Sequence, residues 1–506
     1  MIKIIDNLLN KVTMYRLVLY YLIAILGSAV LLSFFHILAY DPLALLVSAS
    51  FLLAVCALTN WIFARIFEVP ANEESTYITA LILALIITPI QSFNDLWFLG
   101  WAAVLSMASK YILAIKGKHV FNPVAIAVAV TYFTINQSAS WWVGDAALLP
   151  IVLVGGLLVA RRIRRFDMLW TFLGTVFATV LIASLLSGEA LWGMLQKVLL
   201  YSPLVFFGFV LLTEPLTSPP TRRLRILYSA LVGFLFTPLF HIGSLYTTPE
   251  LAMVIGNVFS YLVSPKAKLV LKLKAKIQIA PDIYEFIFSP SRKLSYAPGQ
   301  YMEWTLGHED PDSRGNRRYF TLASSPTESD LRLGVKFYQN SSSYKKAMLS
   351  MGNEHEIVAA QLAGDFVLPK DPKQKCVFIA GGIGVTPYRS MVQYLLDTRQ
   401  KRPITHFYAI RKPDEIVYRD VFDRAEKELG IKTIYTLTDQ QTIPSGWGGR
   451  VGRVSPQWIK KLVPGYQQAL YYLSGPIGMI ASFQDMLHQL GIDDAQIRID
   501  YFAGLS

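Results

Sequence analysis

The chain has 506 residues, of which 53% are hydrophobic and 16% are charged, and its formal net charge is +12. Soluble globular proteins carry about 25% charged residues, so the composition argues against a wholly soluble chain. Two cysteines, Cys56 and Cys376, exclude a disulfide framework and also a cysteine-ligated iron–sulfur cluster within one chain, which needs about four thiolates.

The charged residues are unevenly distributed. Residues 1–264 hold 15 Lys and Arg with 11 Asp and Glu, whereas residues 265–506 hold 32 and 24. The first density is typical of a membrane protein and the second of a soluble one. Much of the positive excess lies in short loops beside apolar segments, as membrane topology requires, so nucleic-acid binding is not expected.

Apolar segments recur through the first half and predict an all-α polytopic membrane domain. Several approach the roughly 20 residues that cross a bilayer as a helix. We expect about ten transmembrane helices, at 17–40, 43–65, 77–91, 97–115, 122–136, 147–160, 168–187, 195–213, 226–243 and 250–264.

Ten crossings place both ends of this domain on the same side of the membrane. If that side is the cytoplasm, 14 of the 15 basic residues fall in inner segments or at adjacent helix ends, and only Lys197 does not. Inner loops of membrane proteins are enriched in Lys and Arg. The sequence therefore predicts a multi-pass protein of the bacterial inner membrane with both termini in the cytoplasm.

Ionisable residues of the first half bear on ion transport and haem binding. The acidic residues all lie in predicted loops or at segment ends, whereas carboxylates within the segments would mark an ion path. Redox-driven ion transport is therefore poorly supported and is kept only as the alternative function. Haem iron is often held by His or Met. The histidines of this half cannot build a four-His ladder, although one site from His36 and His241 stays open.

Three strings in the first half resemble segments of known membrane subunits. They are residues 77–89 (YITALILALIITP), 118–124 (KHVFNPV) and 211–219 (LLTEPLTSP). Similar strings occur in the same order in the related subunits B of the sodium-pumping NADH:quinone reductase and D of the Rnf complex. The resemblance covers residues 1–264 and implies a ten-span redox domain.

Those subunits carry FMN esterified to a Thr in an SGAT-like motif, which this chain lacks. The nearest approach is residues 187–190 (SGEA), so a covalent flavin is not expected. We expect instead a noncovalent second flavin, FMN or riboflavin. Its predicted walls are residues 121–123 and 213–219, because helix breaks at membrane depth are tolerated where they line a cavity.

From residue 265 the pattern becomes that of a soluble protein. Residues 269–279 alternate apolar and polar side chains, as a half-buried strand does. Further β-rich runs follow at 283–288, 302–306 and 331–338. These predict an antiparallel β-barrel at 265–370. Four later β-rich runs alternate with helical stretches and predict an α/β nucleotide-binding domain with a parallel sheet at 371–506.

The string 318–324 (RYFTLAS) follows a Pro–Gly turn and carries side chains suited to a flavin. Arg318 can clamp a pyrophosphate through charge-assisted hydrogen bonds. Phe320 offers a flat face to the isoalloxazine or ribityl side. Thr321 can donate a hydrogen bond towards flavin N5, the atom that accepts hydride.

Residues 378–387 (FIAGGIGVTP) have the pattern of a strand, a Gly-rich turn and a helix. Gly381, Gly382 and Gly384 allow the backbone to approach a pyrophosphate at the helix N-terminus. Pro387 suits the first helical turn. A second strand-to-helix turn follows at 472–479 (YLSGPIGM).

In this order the three strings resemble the ferredoxin–NADP reductase family across residues 266–506. The resemblance implies that the β-barrel at 265–370 binds FAD and that the α/β domain at 371–506 binds NADH or NADPH. No metal site is expected. FAD would be bound by Arg318, Phe320, Thr321 and Ser324, with Lys336 and Ser343 near its phosphates. The nicotinamide nucleotide would be held by Gly381, Gly382, Gly384, Thr386, Pro387, Gly475, Pro476 and Met479.

The catalytic residues implied by the resemblance are Thr321, Ser474 and Phe502. Ser474 departs from the family, which usually has a Cys that helps to place the nicotinamide over the flavin. Hydride transfer is therefore expected to be slower but not abolished. Phe502 stands where the family has an aromatic or acidic group beside the flavin.

The choice between NADH and NADPH stays open. Arg411 and Lys412 follow a strand whose end usually faces the adenosine ribose, and they could bind a 2′-phosphate. Asp414 and Glu415 lie close enough to oppose that role. A solvated charged loop is an equally good interpretation.

These patterns predict a membrane-bound flavin oxidoreductase. It would take hydride from cytoplasmic NAD(P)H onto FAD and pass electrons singly through the membrane domain to a quinone or an outer-face acceptor. The hydrocarbon core of a bilayer is about 30 Å thick. A single electron hop is not expected to cross this distance, so we expect the second flavin to relay the electrons. Direct transfer from FAD to a quinone at the inner leaflet is the competing hypothesis.

Overall fold

The computed structural model of the protein describes residues 5, 9, 12–67, 73–115, 118–237, 241–243, 245–264, 269–290, 292–309, 312, 315–353, 355–439 and 443–500. The chain divides into two compact units. The described residues up to Ser264 form the first, which we call the helical unit, and those from Leu269 to Asp500 form the second, which we call the α/β unit.

The helical unit consists of helices joined by short connections. They are α1 (Met14–Phe34), α2 (Pro42–Ile66), α3 (Glu73–Ile86), α4 (Asp95–Ile112), α5 (Pro123–Ile135), α6 (Leu149–Ile163), α7 (Phe166–Ser187), α8 (Leu191–Leu200), α9 (Leu204–Phe206), α10 (Arg222–Leu235) and α11 (Pro249–Val263). A π-helix, Phe207–Leu212, continues α9. Two small antiparallel sheets pair β1 (Ala114–Ile115) with β2 (Lys118–His119) and β3 (His241–Ile242) with β4 (Leu245–Tyr246).

Three helices among the described residues, α1, α2 and α7, are long and apolar enough to cross a membrane. The bent pair Leu191–Leu200 and Leu204–Leu212 adds a fourth if it is one broken span. The prediction of about ten transmembrane helices is therefore wrong by length and composition. The remaining apolar segments fold largely as shorter helices, such as the 14 residues of α3 and the 13 residues of α5.

Local capping explains why these helices are short. Pro123 opens α5, and the Asn122 side chain accepts hydrogen bonds from the N–H groups of Val124 and Ala125, each at 3.1 Å. Asn136 ends the helix in the left-handed conformation. A polar N-cap followed by Pro is a strong helix start, and Asn is tolerated at a left-handed end. These boundaries hold α5 to 13 residues, close to the predicted segment 122–136 but fewer than the roughly 20 that cross a bilayer.

Aromatic rings fill part of the core of the helical unit. The Phe207 ring centroid lies 5.6 Å from that of Phe172, 5.1 Å from Phe236 and 6.0 Å from Trp141. Trp141 Nε1 donates to Oε2 of Glu250 at 3.0 Å. Glu250 lies in the first turn of α11, in agreement with its predicted place at a segment end. Its side chain is nonetheless only 3% exposed, so this carboxylate belongs to the core.

The first half of the α/β unit contains a six-stranded antiparallel sheet. Its strands are β5 (Leu269–Ala280), β6 (Ile283–Pro290), β7 (Tyr301–Thr305), β8 (Arg317–Thr321), β9 (Leu331–Lys336) and β10 (Glu356–Ala363), with helix α12 (Ser343–Ser350) between the last two. The spatial order is β8-β7-β10-β5-β6-β9. The N–H of Ala323, just after β8, donates to the carbonyl of Arg332 in β9 at 2.8 Å, so the two edges of the sheet approach each other.

The second half of the α/β unit contains a six-stranded parallel sheet. Its strands are β11 (Cys376–Gly381), β12 (Ile404–Ile410), β13 (Lys432–Leu437), β14 (Arg450–Val451), β15 (Leu470–Ser474) and β16 (Ile497–Ile499). The helices are α13 (Thr386–Asp397), α14 (Arg419–Leu429), α15 (Pro456–Leu462) and α16 (Ile477–Gln489). The order β14-β13-β12-β11-β15-β16 reverses between β11 and β15. Ligands of such sheets bind at the carboxyl ends of the strands beside this reversal.

Candidate functional site

The predicted flavin residues Arg318 and Phe320 share one face of strand β8, because they are two positions apart. Both contact Tyr344, a fully buried residue of α12. The guanidinium carbon of Arg318 lies 5.1 Å from the Tyr344 ring centroid, and the Phe320 centroid lies 6.2 Å from it. Tyr344 therefore fixes the orientation of both side chains.

A carboxylate lies between Arg318 and the start of α12. Asp312 Oδ1 is 3.5 Å from Nη2 of Arg318, and Asp312 Oδ2 accepts from the N–H of Ser343 at 3.1 Å. The Ser343 hydroxyl accepts from the N–H of Asp312 at 2.8 Å and hydrogen-bonds Nε2 of His308 at 3.0 Å. Arg318 and Ser343, which the sequence assigns to flavin phosphates, thus already bind one oxygen anion. This donor set fits a pyrophosphate.

Asp500 connects the ends of two strands from different sheets. Its Oδ2 accepts a hydrogen bond from Thr321 Oγ1 at 3.2 Å and another from Ser474 Oγ at 3.1 Å. Thr321 ends β8, Ser474 ends β15, and Asp500 follows β16. The structure therefore brings together two of the three predicted catalytic residues. Phe502, the third, lies outside the described residues.

The environment of Asp500 favours its neutral form. Burial raises the pKa of the Asp500 carboxyl to about 6, and the hydrogen bonds from Ser474 and Thr321 oppose this shift only in part. Among the described residues, Asp500 Oδ1 is buried without a hydrogen-bond partner. A carboxyl group with such a pKa can hold or release a proton near neutral pH.

Sequence reasoning missed Asp500. No motif surrounds it, and its role depends on strands β8 and β15, which are far away in the chain. The one available signal is its place two residues before Phe502, in the region where the resemblance allows an acidic group beside the flavin.

The Gly-rich turn after β11 packs against the end of β15. Gly382 has φ +53°, a conformation that favours glycine. A Cβ at Gly384 would lie 2.6 Å from the backbone of Ser474, so only glycine allows this approach. The turn leads into α13, which has Pro387 in its first turn. The N-terminus of a helix that follows a Gly-rich turn favours binding of a phosphate, here one of the nicotinamide nucleotide.

The other predicted nucleotide residues surround the same turn. Gly381 ends β11, and a Cβ there would contact the side chains of Met479 and Pro476. Gly475 has φ +152° and lies between these two strand ends. Thr386 opens α13, and its Oγ1 donates to the carbonyl of Ile383 at 3.3 Å.

The Lys336 side chain pairs with a residue of the nucleotide half of the unit. Its Nζ lies 3.0 Å from Glu415 Oε1, and both side chains are 16% exposed. The sequence placed Lys336 near the flavin phosphates and Glu415 in opposition to a nucleotide 2′-phosphate. The ion pair neutralises Glu415, while Arg411 and Lys412 remain exposed at the end of β12. Ser324, the last predicted flavin residue, is fully buried, and its Oγ is 3.0 Å from the Tyr296 hydroxyl.

Comparison with known proteins gives the following similarities. Residues 378–485 match the family described as "Oxidoreductase NAD-binding domain". A flavohemoprotein from Pseudomonas putida (strain KT2440) is 28% identical over 239 residues, which cover 46% of this chain and 58% of the relative. The stachydrine N-demethylase reductase subunit Stc4 from Rhizobium meliloti (strain 1021) is 26% identical over 227 residues, which cover 44% of this chain and 63% of the relative.

Among solved structures, the flavohem-like FAD/NAD binding domain of nitric oxide dioxygenase from Vibrio cholerae O1 biovar El Tor is similar to the chain. The TM-score is 0.40 at 22% identity, over 46% of this chain and 98% of that chain. The chain spans about 58–63% of the length of the two curated relatives. The matched family, the curated relatives and the site geometry support an NAD(P)H-dependent FAD oxidoreductase.

Proposed function

We propose that the protein is a membrane-bound flavin oxidoreductase of the bacterial inner membrane. It takes hydride from cytoplasmic NAD(P)H onto FAD and delivers electrons singly, through the membrane domain, to a quinone or an outer-face acceptor. The observation that carries the proposal is the meeting of Thr321 and Ser474 at Asp500. This contact brings the end of β8, which carries the predicted flavin residues, to the end of β15, which packs against the Gly-rich turn after β11.

The three regions of the chain have separate roles in this proposal. Residues 1–264 form the electron-transfer domain in the membrane, residues 265–370 bind FAD, and residues 371–506 bind the nicotinamide nucleotide. When bound, FAD supplies the chemistry that accepts a hydride and releases electrons one at a time. The protein supplies binding, orientation and proton control.

Arg318 and Ser343 hold the FAD pyrophosphate, since they already bind an anionic oxygen pair at the start of α12. Phe320 and Ser324 complete the flavin side. Gly381, Gly382, Gly384, Thr386 and Pro387 receive the nucleotide phosphates, and Gly475, Pro476 and Met479 border the nicotinamide.

The protonation state of Asp500 controls the direction in which the hydroxyl groups of Thr321 and Ser474 donate their hydrogen bonds. When it is ionised, both hydroxyl hydrogens point towards Oδ2. When it is protonated, the Thr321 hydroxyl is released to donate towards the flavin. Because the carboxyl is buried, its proton is held close to the reacting groups rather than shared with bulk water.

Exposed tryptophans support the membrane location. Trp61 near the end of α2, Trp170 near the start of α7 and Trp192 at the start of α8 are 53%, 66% and 69% exposed. Tryptophan is enriched where helices meet the two membrane surfaces. The connections 35–41 and 188–190 join candidate spans and contain no Lys or Arg, which is typical of outer loops. This pattern supports a cytoplasmic location for the opposite helix ends, which carry Arg16 and Arg65.

The membrane domain is also proposed to hold a second noncovalent flavin, FMN or riboflavin. The motif strings that resemble the subunits B and D described above support this idea. Two of them meet: Asn122 Nδ2 donates to Glu214 Oε2 at 2.8 Å, and the N–H of Asn122 donates to Asn257 Oδ1 at 2.7 Å. The helix breaks at Pro123 and Pro215 are therefore neighbours in the fold.

Reduction of the purified full-length protein by NADH or NADPH, followed at the flavin absorbance, tests the enzyme proposal. Thr321→Ala should retain FAD and slow this reduction, whereas Thr305→Ala, at the opposite end of the paired strand β7, serves as the control. Acid extraction tests the relay. We expect more than one flavin to be released per chain. Release of one FAD and no other cofactor would contradict the relay and would favour direct transfer from FAD to a quinone at the inner leaflet.

A further inference from the structure

A buried arginine connects the nucleotide helix with the loop that follows the flavin strand. Arg389 lies in the first turns of α13, three residues after Thr386, and is 6% exposed. Its Nη2 donates to Oε1 of Glu328 at 3.0 Å, and its Nη1 pairs with Oε2. The same Nη1 donates to the carbonyl of Ala323 at 3.1 Å.

The neighbouring residue makes a parallel contact. Ser390 Oγ donates to the carbonyl of Ser324 at 2.5 Å, and Tyr296 donates to that carbonyl at 2.9 Å. Ala323 and Ser324 follow Thr321 by two and three residues. The carbonyls of Ala323 and Ser324, which follow Thr321 in the chain, are thus both hydrogen-bonded to α13. This helix begins at the Gly-rich turn after β11.

Glu328 is itself fixed from the flavin side. It accepts from the N–H of Ser325 at 2.6 Å, and Arg332 Nε lies 3.2 Å from its Oε1. Arg332 in turn pairs with Glu285 at 2.7 Å. Each charge therefore has a partner, which a buried ion pair requires because desolvation of the charges is costly. The result is a charged connection with a defined geometry between the two halves of the α/β unit.

We propose that Arg389 is a positioning residue that sets the distance and angle between the nicotinamide and the flavin. The inference rests on the proposed hydride transfer between these two ligands. Donor and acceptor are held by different halves of the unit, so their separation depends on the contacts that join the halves. A displacement of about 1 Å at a reacting centre can lower a rate by about 100-fold.

Stopped-flow reduction of the full-length protein by NADH and by NADPH tests the proposal. The variants are Arg389→Gln, Arg389→Lys, Glu328→Gln and the double variant Arg389→Gln with Glu328→Gln. Arg424→Gln is the matched control, because Arg424 pairs with Glu428 at 3.2 Å within α14 and so makes an ion pair inside one half only. FAD content, thermal unfolding, the long-wavelength charge-transfer absorbance and the deuterium isotope effect are measured beside the rate.

We expect Arg389→Gln to keep its FAD and to reduce it about 10–100-fold more slowly at saturating coenzyme. The charge-transfer absorbance should weaken, and the isotope effect should rise. Arg389→Lys should recover part of the rate, because it restores the charge with one fewer contact. A wild-type rate and charge-transfer band in Arg389→Gln would overturn the proposal.

If Arg389→Gln fails to fold, Ser390→Ala provides the second test, since it removes only the bond to the Ser324 carbonyl. Slower reduction with unchanged FAD content supports the positioning role, and unchanged reduction contradicts it. Absence of any NAD(P)H-dependent reduction in the wild-type protein would instead contradict the proposed function. The two failures are therefore distinguishable.

Discussion

Thr321 and Asp500 are separated by 179 positions in the chain, yet Oγ1 of Thr321 lies 3.2 Å from Oδ2 of Asp500. One residue ends an edge strand of the antiparallel sheet, and the other follows an edge strand of the parallel sheet. The hydroxyl assigned to the flavin is thereby coupled to a carboxyl group whose pKa is about 6. The rate of the proposed reaction should therefore respond to pH through this pair.

Flavin reduction should show an apparent pKa near 6 and should be faster on the acid side. Protonation of Asp500 frees the Thr321 hydroxyl to donate towards the flavin. Rates measured from pH 5 to pH 8 in the wild-type protein and in Asp500→Asn check this expectation. The variant mimics the protonated form and should lose the dependence. A flat wild-type profile would remove Asp500 from the reaction.

The same carboxyl group should make the folded protein less stable as pH rises from about 4 to about 6. Its folded pKa is raised, so the folded state binds more protons than the unfolded state in this window, and stability falls with pH. The full effect is about 2–3 kcal/mol. Thermal unfolding measured from pH 4 to pH 8 should show Asp500→Asn to be the more stable protein at pH 8. A lower melting temperature for the variant at pH 8 would contradict the burial argument.

Arg318→Ala should lose FAD. Removal of a charged clamp from the pyrophosphate costs about 2–3 kcal/mol, which is roughly 30–150-fold in Kd. Flavin content after purification and titration with free FAD measure the loss. Arg317→Ala is the control, because Arg317 lies on the opposite face of β8 and is 3.7 Å from Glu303. Full occupancy in Arg318→Ala would show that Arg318 is not the clamp.

Asp312→Asn should bind FAD more tightly. Asp312 occupies the same two donors, Arg318 and the Ser343 N–H, that the pyrophosphate requires. Loss of its charge weakens this competition. Fluorescence titration should give a lower Kd than the wild type, whereas Asp330→Asn, which removes the partner of the exposed Lys274, should not change it. Weaker FAD binding in Asp312→Asn would mean that the carboxylate supports the site instead.

Ser474→Cys restores the residue common in the resembling family, and NAD(P)H-dependent reduction should be equal or faster. Ser474 is 2% exposed and donates to Asp500. A thiol is a weaker donor than a hydroxyl, so this change also disfavours ionisation of Asp500. Stopped-flow mixing provides the measurement. Complete loss of reduction would contradict the assignment of the nicotinamide pocket.

The sequence predicted the strand, the turn and the helix around Gly384 because a single local motif encodes all three. It could not place Asp500, since that residue joins the site only through the register of β15 and β16. Lys336 was assigned to a phosphate from its strand alone, whereas its partner Glu415 lies in the other half of the unit. The predicted number of membrane helices was too high because it included segments such as 122–136, whose helix of 13 residues is shorter than the roughly 20 that cross a bilayer.

The position of Asp500 also has a consequence for biosynthesis. A ribosome adds roughly 5–20 residues per second, so Thr321 is translated about 10–35 s before Asp500. The antiparallel sheet and most of the parallel sheet precede Asp500 in translation order. A nascent chain can therefore fold its flavin strand long before the carboxyl group that governs the hydride site exists. Redox competence therefore requires synthesis to proceed through Asp500.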